Sequence, residues 1–377
     1  MNSGTQPWAR KESMSRKAEH IVISGGGTGG HLSPMIAVAQ ELERKGLSNI
    51  LLAGTSTGMD KQFFEQHSFP YVLLPSRKNR RILFIPITAF FFAYSTLKSI
   101  KLLHTYNACL VACTGGYAGA AAAFAASFLR IPVVLLEQNT IPGRTIRMLS
   151  RISRTVFCQF KVCADTFGEK GIHCGNPLRR EMLEKLQSGA LDIHNRNTIL
   201  VMGGSQGARS INRVFLEGMK TLAPVLQHYS IVHLSGRYDE KELREKYKAF
   251  DISARVLAFT HNVTDIYSNC RLFIGRAGAS SMAEYTAWSI PSLLIPYPWA
   301  KDNHQLENAR ELKKAGACEY ITEKELTPDI LRDKIQAILT NRECFRKMST
   351  CASDYARPDA GKVIAEHILE IMERQRA

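Results

Sequence analysis

Twice in this chain a short apolar run empties into glycines and then into a helical pattern. The first case is Ile21 to Pro34, IVISGGGTGGHLSP. The second begins at Thr198, reads TILVMGGSQGA, and continues as an amphipathic segment from about Ser210. A strand that ends in glycine brings bare backbone close to whatever lies beyond it, because glycine permits tight turns and close approach. The unpaired N–H groups and positive dipole of the helix that follows favour an anion there, most often a phosphate. Pro34 is read as lying in the first helical turn, where a missing N–H costs nothing. Further apolar runs at 49–53, 71–74, 108–113 and 131–136 follow the first signal. Runs at 229–234, 254–258, 272–274 and 292–295 follow the second. Strands that are apolar throughout and separated by helices form a parallel sheet covered on both faces. A chain of 377 residues is too long for one core. The pattern therefore predicts an α/β protein of two Rossmann-like domains facing a cleft, with the joint near Gly175-Asn176-Pro177. Ligands are expected at the carboxyl ends of the strands.

Charge narrows the partners. The formal charge is +15, from 49 basic and 34 acidic residues. Such an excess suits nucleic acid, an anionic membrane surface or a phosphorylated substrate, with general solubility as the bland alternative. Nucleic-acid binding would need basic stripes interleaved with aromatics, and these are missing outside residues 77–81. Nine cysteines show no C-x-x-C and no zinc-finger spacing, so reduced thiols are expected. Residues 1–18 are polar and basic and read as a disordered extension, with Met14 as an alternative start. The longest apolar run, Ile82 to Leu97, is too short for a bilayer span and contains Pro86, so no membrane crossing is expected. Arg77, Lys78, Arg80 and Arg81 stand immediately before Ile82 and Phe84. Basic groups beside apolar ones suit a surface that rests on anionic lipid; the alternative is a buried helix with a solvated basic end.

The motifs limit the chemistry. The second strand ends Leu52-Ala53-Gly54-Thr55, without the carboxylate that would hold an NAD ribose. No Walker ending G-K-[S/T] occurs, and no D-x-D to bridge a diphosphate through a metal. In Gly275 to Glu284, GRAGASSMAE, a strand feeds a glycine turn and a helix from about Ser280. Glu284 stands one turn into that helix, where it either accepts hydrogen bonds from a ribose diol or merely complements the helix dipole. The polar stretch Asp302 to Ala309 offers Asn303 and Gln305 to sugar hydroxyls. A third cluster, Gly115 to Ala120, is either close helix-to-sheet packing or a pocket wall with Tyr117 facing the ligand. His31 is the one titratable side chain of the first loop.

Seven segments then occur in a fixed order: GGGTGGHLSP (25–34), GGYAGA (115–120), EQNTIPG (137–143), GNPLR (175–179), GGSQGA (203–208), RAGASSMAE (276–284) and DNHQLENA (302–309). Together they closely resemble the MurG family, over about residues 19–370. Members of that family move N-acetylglucosamine from UDP-N-acetylglucosamine onto the muramoyl-pentapeptide–diphospho-undecaprenol lipid of peptidoglycan synthesis. The resemblance implies a GT-B glycosyltransferase fold. It divides the chain into an acceptor- and membrane-facing domain at 19–176, a UDP-sugar domain at 177–345, and a final helix, about 346–377, packing back on the first.

It also implies roles. Ser205 and Arg179 would contact the UDP diphosphate. Ala279, Ser280, Ser281, Met282, Ala283 and Glu284 would line the nucleotide, with Glu284 on the ribose and Gln305 on the sugar. Thr260 stands where the family often packs an apolar residue near the uracil. Asn139, with Thr28, Gly29 and Gly30, would face the transfer site from the first domain. Gly26, Gly27 and Tyr117 would lie on the acceptor side. His31, at a helix N-terminus that disfavours imidazolium, is the expected general base; its alternative is to bind the acceptor diphosphate. No cofactor or metal is expected, UDP-N-acetylglucosamine being the donor. The place implied is the cytoplasmic face of the bacterial inner membrane, peripherally bound. The alternatives are another UDP-sugar transferase of the same fold and, further off, a basic nucleic-acid-binding protein.

Overall fold

The computed structural model describes residues 19–56, 59–76, 85–189, 192–204, 207–260 and 262–376. Two compact units divide the chain: one runs to Arg180 and resumes at Asp359, the other is Glu181–Pro358.

The first unit contains β1 (His20–Ser24), α1 (Gly29–Arg44), β2 (Ile50–Thr55), α2 (Asp60–Phe64), β3 (Tyr71–Leu74), α3 (Ile85–Thr105) and β4 (Ala108–Cys113). It continues with α4 (Gly116–Phe128), β5 (Val133–Glu137), α5 (Arg144–Leu149), β6 (Thr155–Cys158), α6 (Lys161–Asp165) and β7 (Gly171–His173). Its seven strands are all parallel, in the order β3-β2-β1-β4-β5-β6-β7. That order reverses between β1 and β4, so the loops after these two strands part to opposite sides and leave a crevice. Ile21, Ile23, Leu52, Leu110 and Val134 form the centre of the core beneath it.

The second unit contains α7 (Arg180–Gln187, which begins at the division), β8 (Thr198–Met202), α8 (Arg209–Leu226), β9 (Ser230–Leu234), α9 (Glu240–Ala249) and β10 (Ala254–Leu257). Then come α10 (Thr264–Ser268), β11 (Cys270–Gly275), α11 (Ala279–Ala287), β12 (Ser292–Leu294), α12 (His304–Lys314), β13 (Cys318–Tyr320), α13 (Pro328–Thr340) and α14 (Arg342–Tyr355). Its sheet, β10-β9-β8-β11-β12-β13, is again all parallel and reverses between β8 and β11.

The last helix, α15 (Ala360–Arg376), belongs to the first unit. Ile364, Ala365, Ile368 and Met372 enter the first core, and Lys45, the C-cap of α1, pairs with Glu366 at 2.9 Å. The sequence reading began this return helix near residue 346. That boundary is corrected: α14 stays in the second unit, and the chain breaks at Arg357-Pro358, because a residue before proline is driven out of the helical region.

Helix α1 also starts earlier than read from the sequence. Gly29, Gly30 and His31 are its first three residues, so Pro34 sits in the second turn, where it cannot donate to the Gly30 carbonyl. No helix among the described residues is long and apolar enough to cross a membrane. In α3, Phe90, Tyr94 and Leu97 are exposed at i, i+4 and i+7, one stripe of the helix. The expected lipid-facing residues Arg77, Lys78, Arg80, Arg81, Ile82 and Phe84 lie outside the described residues. All nine cysteines are unbridged, and most are buried.

Candidate active site

In the first unit the candidate residues gather at the carboxyl edge of β1, β4 and β5, on either side of the crevice. Thr28 is the N-cap of α1, and its carbonyl accepts from His31 N at 3.0 Å and Leu32 N at 3.1 Å. Thr28, Gly29, Gly30 and His31 therefore stand in one turn at the positive end of the helix, although Thr28 makes no side-chain cap. The loop after β4 closes on this turn. A Cβ built on Gly115 would meet the His31 ring at 3.4 Å. One on Gly116, whose φ is +76°, would lie 2.8 Å from the Gly26 carbonyl oxygen. The glycines at 115–116 are thus required by the approach of two loops, and His31 is placed where they meet.

Tyr117 begins α4 with its ring edge-on to Phe92 of α3, centroids 5.7 Å apart. Its hydroxyl oxygen is buried without a hydrogen-bond partner among the described residues, and burial raises its pKa.

At the end of β5, Glu137 organises the EQNTIPG turn. One carboxylate oxygen accepts from Asn139 N at 2.9 Å and Asn139 Nδ2 at 3.2 Å. The other accepts from Gly143 N at 2.8 Å. Burial pushes the Glu137 carboxyl above the ordinary range, and the bonds from Asn139 and Gly143 draw it part of the way back. Asn139 is held in this turn through its own backbone and side-chain N–H groups. Arg179 follows the Cys174–Leu178 segment, with its Nε buried and lacking a hydrogen-bond partner among the described residues.

In the second unit the corresponding crevice lies between β8 and β11. Ser205 is outside the described residues, but the helix that follows its loop, α8, is described from Arg209. Arg276, just past β11, ties the segments after β12 and β13 to the start of α8. It donates to Ile295 O at 3.0 Å after β12, to Ser210 Oγ at 2.9 Å in the first turn of α8, and to Glu323 Oε1 at 2.6 Å after β13. Ser210 also donates to Glu323. Arg276 covers the Tyr297 ring at 5.2 Å as well.

Helix α11 opens at Ala279. Ser280, Ser281, Ala283 and Glu284 are half-buried and Ala279 is nearly covered, but Met282 is fully buried and can offer a ligand only its backbone. Glu284 is steadied by Tyr267, whose buried hydroxyl donates to its Oε2 at 3.2 Å. Burial and the neighbouring Glu284 raise the Tyr267 pKa well above 10, which keeps it a donor. Gln305, in the first turn of α12, accepts from Tyr297 N at 3.0 Å, which leaves its NH2 group for a hydroxyl. Asn308 ties the same helix to Ala277 O at 3.1 Å. Thr260, after β10, accepts from Asn262 N at 3.2 Å in a local turn.

Sequence reasoning passed over Arg276, Glu137, Tyr267 and Asp60, the last of which underlies the first loop. The available signal for two of them, Arg276 and Glu137, was a charged residue at or just after a strand end.

The comparisons follow this geometry. Residues 21–158 match the glycosyltransferase family 28 N-terminal domain and residues 198–364 the family 28 C-terminal domain. A protein of Anaeromyxobacter sp. (strain Fw109-5) is 34% identical over 359 residues, covering 94% of this chain and 94% of its own length. Another, of Thermodesulfovibrio yellowstonii, is 34% identical over 375 residues, covering 94% of this chain and all of its own. Both are named UDP-N-acetylglucosamine–N-acetylmuramyl-(pentapeptide) pyrophosphoryl-undecaprenol N-acetylglucosamine transferase. The crystal structure of Acinetobacter baumannii MurG matches with a TM-score of 0.76 at 26% identity, over 94% of this chain and 100% of that one. A UDP-N-acetylglucosamine 2-epimerase shares the fold, with a TM-score of 0.67 at 13% identity. Two parallel-sheet units of this strand order, each matching one half of family 28, define a glycosyltransferase of the GT-B class. Within that class, the chain belongs to the MurG family of N-acetylglucosamine transferases.

Proposed function

We propose that the chain transfers N-acetylglucosamine from UDP-N-acetylglucosamine to the C4 hydroxyl of a muramoyl-pentapeptide–diphospho-undecaprenol lipid, with inversion at the anomeric carbon. The second unit takes the donor. Glu284 accepts from the ribose diol, the half-buried residues after Ala279 border the nucleotide, and the NH2 group of Gln305 reaches a sugar hydroxyl. Thr260 stands toward the base. Ser205, with the start of α8, bears the diphosphate, joined by Arg179 from the end of the first unit's main stretch. Their charge and N–H groups stabilise the UDP that departs as the C1–O bond breaks, so no step calls for a metal or cofactor.

The first unit takes the acceptor. Gly26 and Gly27 form the floor of its site, Tyr117 a wall, and Asn139 with Thr28 to Gly30 the face toward the reacting carbon. His31 accepts the proton of the C4 hydroxyl as the new C–O bond forms. One observation carries this reading above the others. Both glycine loops, and the two motifs that face them, fall at the two points where strand order reverses, the ligand position of open parallel sheets.

The acceptor is a lipid, and the exposed stripe Phe90, Tyr94 and Leu97, preceded in sequence by four basic residues, supports peripheral binding to the cytoplasmic face of the inner membrane. Donor choice is tested by thermal protection: UDP-N-acetylglucosamine should raise the melting temperature. Greater protection by UDP-glucose or by oligonucleotides would favour another sugar transferase or a nucleic-acid binder.

A further inference from the structure

Behind the first glycine loop lies a carboxylate that the mechanism above does not use. Asp60, the first residue of α2, is fully buried. It accepts from Thr55 N at 2.7 Å and Thr55 Oγ1 at 2.8 Å at the end of β2. Across the loop it accepts from Gly27 N, at 2.9 Å to one oxygen and 3.2 Å to the other. The loop folds directly over this group. Gly26 has φ +127°, and a Cβ placed on it would come within 2.0 Å of Asp60 Oδ2. Burying a charge is costly unless hydrogen bonds compensate it. Here the compensation is drawn from the loop itself, so Gly27 N–H is committed to the protein and is withdrawn from anion binding.

The consequence reaches His31. Gly27 immediately precedes Thr28, whose carbonyl is the first acceptor of α1 and receives His31 N at 3.0 Å. Fixing Gly27 fixes where the helix begins, and the helix start fixes the backbone of its third residue. From the other side Gly116 packs against Gly26 O and Gly115 against the His31 ring. The loop is clamped between a buried carboxylate and a second glycine turn.

We propose that Asp60 is a positioning residue of the transfer reaction: through Gly27 N–H it holds the Gly25–His31 turn in the conformation that presents His31 to the acceptor. This rests on the reading that the first unit handles the acceptor. Asp60→Asn places an NH2 group where the carboxylate receives three donors, so at least one bond becomes donor against donor. Thr55→Val removes only the hydroxyl bond that ties α2 to β2 and leaves the Gly27 bond in place.

The test has two parts. In the wild-type protein, amide exchange by NMR should show Gly27 N–H strongly protected although its residue is exposed; a rapidly exchanging Gly27 amide overturns the inference without reference to activity or to any variant. In transfer assays, Asp60→Asn should lower kcat about tenfold or more and raise the acceptor KM, since misplacing a reacting group by ~1 Å costs up to about a hundredfold. Its affinity for UDP-N-acetylglucosamine should stay within about twofold, and Thr55→Val should keep near-wild-type kinetics. Equal losses in the two variants, or an unchanged kcat in Asp60→Asn, would assign the carboxylate to anchoring α2 alone. A wild-type protein without transfer activity would overturn the acceptor reading instead.

Discussion

In the proposed transfer, His31 is the residue on which the chemistry turns. Its place in the first turn of α1, against Gly115, suits a group that takes a proton from a bound hydroxyl. His31→Ala should therefore reduce turnover about a hundredfold or more with donor affinity retained, as expected for loss of a general base. A loss within about threefold would leave His31 only a binding role.

Glu137 gives a pH test. Its folded pKa lies above its unfolded value because burial penalises the charged form. A group shifted in that direction contributes stability that is present below the unfolded pKa, about 4.3, and lost as pH rises through the folded pKa. Relative to the non-titrating variant Glu137→Gln, the wild type should thus gain melting temperature as pH falls from about 7 toward about 4. A difference that stays constant or reverses would mean the carboxylate is not held in this buried setting. At this scale the sequence made a residue's place readable where a local pattern sets it, as for His31, Glu284 and Gln305 near the starts of their helices. It was not readable for Asp60, whose partner Gly27 is 33 residues away, or for Arg276, 66 residues from Ser210. Such roles arise only when the sheet brings strand ends together.

Among the elements, the long apolar strands were legible because a strand buried on both faces must be apolar throughout. The short strands β6, β7 and β13 were not, since three or four residues carry no periodicity of their own and become strands by pairing with a neighbour. The start of α1 was read five residues late, because glycine and histidine are poor helix formers and only the packed loop makes them helical.

Two substitutions test how these elements are held. Gly116→Ala forces a side chain into a positive-φ position facing the Gly26 carbonyl, and should cost ~1–3 kcal/mol of stability by chemical unfolding. Gly29→Ala, with open space around its Cβ and a place in the helix, should leave stability level or raise it by about 0.5 kcal/mol. If both variants lose stability equally, the close approach of the two loops is not what the glycines serve. On α15, Ile368→Ala removes a fully buried side chain from the first core and should lower stability by ~2–5 kcal/mol; a negligible change would show that the helix is not docked there.

At the scale of the whole chain, two start signals announced two sheets. The reversal of strand order in each, at β1/β4 and β8/β11, turned scattered glycine motifs into two ligand positions. Under the proposed function, the basic excess and the exposed stripe of α3 would share one purpose, holding the protein at an anionic membrane surface. Replacing Arg77, Lys78, Arg80 and Arg81 with neutral residues should weaken sedimentation with anionic vesicles and have little effect on neutral ones, by about 1 kcal/mol per charge. Unchanged binding would remove the basic segment from the account. The proposed transfer is tested most directly by incubating the protein with labelled UDP-N-acetylglucosamine and a short-chain analogue of the muramoyl-pentapeptide lipid. The account predicts a lipid-linked disaccharide with a β linkage, formed only when both substrates are present and not from UDP-glucose. No labelled lipid product, or equal transfer from UDP-glucose, would contradict it.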